Sequence, residues 1–257
     1  MHELTELIRQ DMSPALGVTE PGAIAFVVAT ARKHTAGAVK HITLRLNSGM
    51  FKNAFTCGIP NSTEVGNCHA AALGACGADP DKRLECLDGI TAEQAQAARN
   101  MAAAGIIKVE MTEITSRIFI EAEVETDTDT SCVTIRDAHT NIVKITKNGK
   151  TVYEKPHTAA EESHAEPLIH RYTLAQLHDY ALTVPAEELT FIRKAFELNY
   201  ALCQAGIASP KTTYARCLLE ANDGQMISDD EQKTASLLCN AAIEARVLGL
   251  PEPAMSI

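Results

Sequence analysis

The chain has 257 residues, 46% hydrophobic and 4% aromatic, with 33 acidic against 23 basic side chains and a formal net charge of −10. That balance is a poor match for nucleic acid, whose phosphates must be neutralised by clustered Lys and Arg, and for an anionic membrane surface. No apolar run approaches the ~20 residues that span a bilayer, and Met1-His2-Glu3-Leu4-Thr5-Glu6 has neither the basic nor the apolar region of a secretory signal, so the cytoplasm is expected.

Leu4, Leu7, Ile8 and Met12 form one apolar stripe, which predicts a helix over 2–12, broken at Ser13-Pro14. A second helix is expected from Glu20-Pro21 to about Lys33, with Thr19 as N-cap and Pro21 in the first turn. It is apolar on most sides and therefore buried. Val39 to Leu46 alternates apolar and polar, the pattern of a strand with one wet face. His69 to Ala75 reads as a short, closely packed helix, and 92–104 as an Ala-rich helix stopped by Gly105.

The period then changes. Residues 107–111, 117–124, 131–136, 141–146 and 151–153 read as strands, with Asn148-Gly149 as a hairpin turn. Residues 156–168 carry mixed charge without periodicity. Beyond Tyr172 helices are expected over about 173–183, 186–205, 210–220 and 229–248, with Pro185 and Pro210 as starts and Gly206 as a stop. The fold class is α+β: helices plus a mainly antiparallel sheet over 1–156, a linker over 157–171 and an all-helical segment over 172–257.

Eight cysteines stand at positions 57, 68, 76, 86, 132, 203, 217 and 239, none in Cys-x-x-Cys spacing. They read as small buried apolar residues in a reducing compartment. Metal binding by Cys57, Cys68, Cys76 and Cys86 is the weaker reading.

Several short motifs occur in order: Pro14-Ala15-Leu16-Gly17-Val18-Thr19-Glu20-Pro21; Lys52-Asn53 with Pro60; Gly66 with Ala71 to Ala75; His139-Thr140-Asn141-Ile142-Val143; and Ala245 to Ser256. Together they resemble the L-cysteine desulfidase family, itself similar to the α-part of iron–sulfur-dependent L-serine dehydratases, and match its N-terminal portion. The resemblance implies a lyase that eliminates sulfide or water from a small amino acid without pyridoxal phosphate. It also implies a [4Fe–4S] cluster ligated outside this chain, by a second chain or a C-terminal half, so the helical segment is expected to be incomplete alone. Homo-oligomers are compatible with it. One departure stands out: the family's motif cysteine is Val18 here, which can neither donate a proton nor hold sulfur.

Such chemistry needs a base for the Cα proton and groups that grip carboxylate and ammonium. By this resemblance His139 and Glu20 are the catalytic candidates, and Thr19, Lys52, Asn53, Asn141 and Arg246 bind substrate. Each has a structural alternative. Thr19 and Glu20 suit a helix start, where cap and dipole are each worth about 1 kcal/mol; Lys52 suits solvated surface. His139 and Asn141 suit a turn, and Arg246 a pairing with Glu244. A non-catalytic binding or regulatory module that kept this fold is the alternative to the lyase.

Overall fold

The computed structural model describes residues 2–115, 117–156 and 167–256. Most of the expected linker lies outside these residues, as do His157 and His164; within them Leu168–Arg171 forms a single 3-10 turn.

Helix α1 (Glu3–Asp11) is capped by His2, whose Nδ1 accepts from the Leu4 N–H at 3.1 Å. Helix α2 (Thr19–Lys33) is buried at every position from Pro21 to Ala31, as its all-round apolar sequence requires. Its N-cap is Val18, not Thr19, and no side chain caps it. The reason is local: the Val18 side chain has no hydrogen-bonding atom, and with Thr19 as cap Pro21 would stand at the second helical position, where it offers no N–H to a capping oxygen. Thr19 is instead the first helical residue, and its hydroxyl donates to Glu20 Oε2 at 3.1 Å.

Strands β2 (Val39–Leu46), β3 (Ile107–Met111), β4 (Phe119–Thr126), β5 (Thr130–Arg136), β6 (Ile142–Lys147) and β7 (Lys150–Glu154) form one sheet in the order β3-β2-β4-β5-β6-β7. β2 and β3 run parallel and the other neighbours antiparallel. Between that parallel pair the chain crosses over through α3 (Ser48–Ala54), α4 (Gly66–Cys76) and α5 (Ala92–Ala103), the length such a connection needs. Asn148 and Gly149 both take positive φ, which suits the tight β6–β7 hairpin.

The inward positions Ile42, Leu44, Leu46, Ile120, Ala122 and Val124 are fully buried beneath the helices, and α2 lies over β4 and β5. The opposite face is charged: Arg45 reaches Glu121 at 2.8 Å and Glu110 at 3.3 Å. α4 packs on α2 where a Cβ at Gly74 would stand 2.6 Å from the Ala25 carbonyl oxygen.

The later part contains α6 (Leu174–Thr183), α7 (Ile192–Ala208), α8 (Tyr214–Ala221) and α9 (Glu231–Val247). Gly206 does not stop α7. It lies inside the helix, where a Cβ would meet the Ala241 carbonyl oxygen at 2.8 Å, so it sets the α7–α9 crossing. Nor does Pro210 start a helix: α8 begins at Tyr214, where the Glu244 carboxylate accepts the N–H groups of Thr213, Tyr214 and Ala215.

The segment is not all helical. Pro253–Ser256 forms β8, paired antiparallel with β1 (Ser13–Leu16), where only a break was expected. The Met255 N–H donates to Asn199 Oδ1 at 3.0 Å, so its partner position Pro14 needs no ladder donor. No helix among the described residues is long and apolar enough to cross a membrane.

Candidate functional site

Glu20 occupies the first turn of α2, half-buried beside the N-cap. Its Oε1 accepts from Asn53 Nδ2 at 3.0 Å and its Oε2 from the Thr19 hydroxyl at 3.1 Å. Both carboxylate oxygens are thus oriented, and the carboxylate faces three further groups.

The first is His139, in the turn between β5 and β6. Asp137 takes φ 65° there, and the turn is closed by Asn141, whose Nδ2 donates to the Arg136 carbonyl at 2.8 Å. Burial lowers the His139 pKa from its ordinary 6.5, and the nearby Glu20 charge opposes that shift. The imidazole is therefore neutral near pH 7, the form that accepts a proton.

The second is Arg246, one residue before the end of α9. Its Nε donates to the Gly17 carbonyl at 3.1 Å, so it does not pair with Glu244, which caps α8 instead. Burial works against its charge and Glu20 offsets part of that.

The third, Cys57, was expected only as a buried apolar or metal-binding residue. Its Sγ donates to the Asn53 carbonyl at 2.8 Å, and burial together with the Glu20 charge pushes its thiol up. The one sequence signal was its position four residues after Asn53, the spacing of one helical turn.

Close backbone approaches hold these pieces together. Gly17 takes φ +69°, and a Cβ there would lie 2.6 Å from Pro60 Cγ. A Cβ at Gly58 would lie 2.6 Å from the Leu248 carbonyl carbon, and the Gly58 N–H donates to the Val247 carbonyl at 2.7 Å. The loop bearing Cys57 is thereby seated on the end of α9 that bears Arg246.

Of the sequence-derived candidates, Thr19 and Asn53 hydrogen-bond the Glu20 carboxylate, and His139 and Arg246 lie within the field of its charge. Lys52 is exposed on the last turn of α3 and, among the described residues, makes no hydrogen bond or ion pair to the cluster. Asn141 is engaged within its own loop, its Oδ1 accepting from Lys155 at 3.2 Å. Cys57, Cys68, Cys76 and Cys86 do not assemble: no group of three or more His, Cys, Asp or Glu able to hold a metal occurs among the described residues. The cleft lined by Glu113, Arg117 and Arg136 contains none of the cluster residues. Arg246 also lines a groove between α7 and α9.

The chain is similar to a UPF0597 protein of Dichelobacter nodosus, 35% identical over 255 residues that make up 99% of this chain and 59% of that protein. A UPF0597 protein of Clostridium botulinum is 32% identical over 260 residues, 99% of this chain and 60% of its own length. One of Yersinia enterocolitica is 32% identical over 254 residues, 97% and 58% respectively. The chain thus spans about three-fifths of the length of the curated relatives it matches. No family model matches the chain, and no solved structure matches it.

These relatives overturn the resemblance to the N-terminal portion of L-cysteine desulfidases: none of them bears a desulfidase or dehydratase name. The resemblance rested on short stretches of a few residues each. Similarity across 255 residues is the broader measure of relationship.

Proposed function

We propose that the Glu20 cluster binds a small α-amino acid and removes its Cα proton, as a pyridoxal-phosphate-independent lyase in the cytoplasm that eliminates water or sulfide. The observation that carries this is the convergence of a carboxylate, a neutral imidazole and a guanidinium at the uncapped start of α2. Glu20 and Asn53 suit the substrate ammonium and its neighbouring polar atoms. Arg246, with the helix start bearing Thr19, suits the carboxylate.

His139 takes the Cα proton. The electron pair left behind forms the Cα=Cβ bond as the Cβ–O or Cβ–S bond breaks, and the leaving group departs as water or sulfide on protonation. The enamine tautomerises to an imine, which water hydrolyses to a 2-oxo acid and ammonia. A [4Fe–4S] cluster enters this proposal only as a Lewis acid ligated outside this chain, on a second chain or domain. The described residues supply no ligand set for it, and none of these steps is routed through it.

Exchange of the Cα hydrogen in D2O, followed by NMR with L-serine and L-cysteine, tests the reading on this chain alone. Exchange is expected, and His139→Gln should slow it by about a hundredfold or more, the usual contribution of a general base. Binding without exchange would favour the alternative, a non-catalytic binding module. Absence of both would sink the proposal.

A further inference from the structure

The groove between α7 and α9 meets the Glu20 cluster at one residue, Arg246, and its other walls take no part in that chemistry. Its volume is about 400 Å³, and its walls include Phe196, Leu238, Ile243 and Met255. Phe196 and Ile243 are 56% and 57% exposed, so apolar surface faces solvent here. In a chain with 33 acidic residues, none lines this groove.

Its polar groups are mainly donors. Arg246 engages Nε with the Gly17 carbonyl, while its terminal nitrogens make no hydrogen bond among the described residues. Asn199 has its oxygen occupied by the Met255 N–H, and its NH2 group, on the groove side chain, is likewise without a bond among the described residues. One guanidinium at the edge of an apolar trough complements a ligand with one anionic head and an apolar body.

We propose that this groove binds a small monocarboxylate, its head on Arg246 and Asn199 and its apolar body along Phe196, Leu238 and Ile243. The volume lies within the ~300–1,000 Å³ typical of small-molecule sites. Insofar as Arg246 also receives the substrate carboxylate, an aspect that rests on the function proposed above, the ligand and the amino acid compete.

Calorimetry on the full chain with 3-phenylpropionate and its uncharged amide tests the groove. The acid is expected to bind and the amide to bind at least about tenfold more weakly, since a charge-assisted contact is lost. Ile243→Glu places a carboxylate in the trough and should weaken the acid at least about tenfold, with the thermal melt confirming the fold. Equal affinity for acid and amide, or no binding of either at millimolar concentration, overturns the proposal. So does sedimentation showing a dimer that Ile243→Glu dissociates, which would give the groove to a second copy. Acid binding in a protein that does not bind L-serine would uphold the groove while rejecting the amino-acid site.

Discussion

The carboxylate of Glu20 acts on its neighbours in opposite senses: it favours the cationic forms of His139 and Arg246 and disfavours the thiolate of Cys57. At His139 burial is the larger influence, so the imidazolium forms below pH 6.5. The sign follows directly. Above about 6.5 the base is neutral whether the chain is folded or not; as pH falls, the unfolded chain binds the proton first, and the folded state loses stability until the folded pKa is passed. Replacing Glu20 by Gln removes an attraction for the cation, so the His139 pKa should move lower still. NMR titration of the His139 ring in wild-type protein and Glu20→Gln measures this without requiring catalysis. A pKa that stays put or rises would show that His139 lies outside the field of Glu20.

At the scale of elements, two interior glycines let helices approach to backbone contact. Gly74 faces Ala25 across the α2–α4 crossing, and Gly206 faces Ala241 across α7–α9. Gly74→Ala gains about 1 kcal/mol of helix propensity. It also forces a methyl group to within 2.6 Å of a carbonyl oxygen in a buried layer, where overpacking costs about 1–3 kcal/mol. Urea unfolding should show a net loss of stability. An unchanged or higher midpoint would mean that the two helices separate freely. The same contrast explains what was legible in the sequence. Strands β2 to β7 and helices α2, α4 and α5 follow from apolar periodicity and turn residues. Gly206 misled because a glycine that permits close packing has the same letter as one that ends a helix. Strand β8 was hidden because Pro14 and Pro253 argue against strands, and only the pairing of β1 with β8 places Pro14 where no donor is needed. Glu20, Asn53, His139 and Arg246 were singled out through the resemblance to desulfidases, since a helix start, a helix end or a turn explains each of them equally well in the sequence. The Gly17 carbonyl and the seat of Cys57 left no such mark, because backbone groups are present at every position.

Across the whole molecule the cluster draws on four separate stretches of chain, around residues 17–20, 53–57, 139 and 246, and no single element positions it. The β1–β8 pair ties the strand before Gly17 to the one after α9, and the Gly58–Leu248 approach seats the Cys57 loop on the end of α9. Arg246 is therefore held from two sides while Glu20 and His139 are held by α2 and the sheet. Gly58 does not have a positive φ, so alanine there meets no backbone strain of its own, and its conflict is with the Leu248–Gly249 peptide, a Cβ lying 2.6 Å from the Leu248 carbonyl carbon and 2.8 Å from its oxygen and from the Gly249 nitrogen. Relief requires the end of α9 to shift, and Arg246 with it. Gly58→Ala is expected to weaken amino-acid binding by about tenfold, the scale on which a misplaced charged contact is lost. The His139 pKa should stay where it is, because Glu20 and the β5–β6 turn do not move. Calorimetry and the ring titration together read both effects. Unchanged binding would show that the seam does not position Arg246, whereas a displaced His139 pKa would show that the cluster moves as one body.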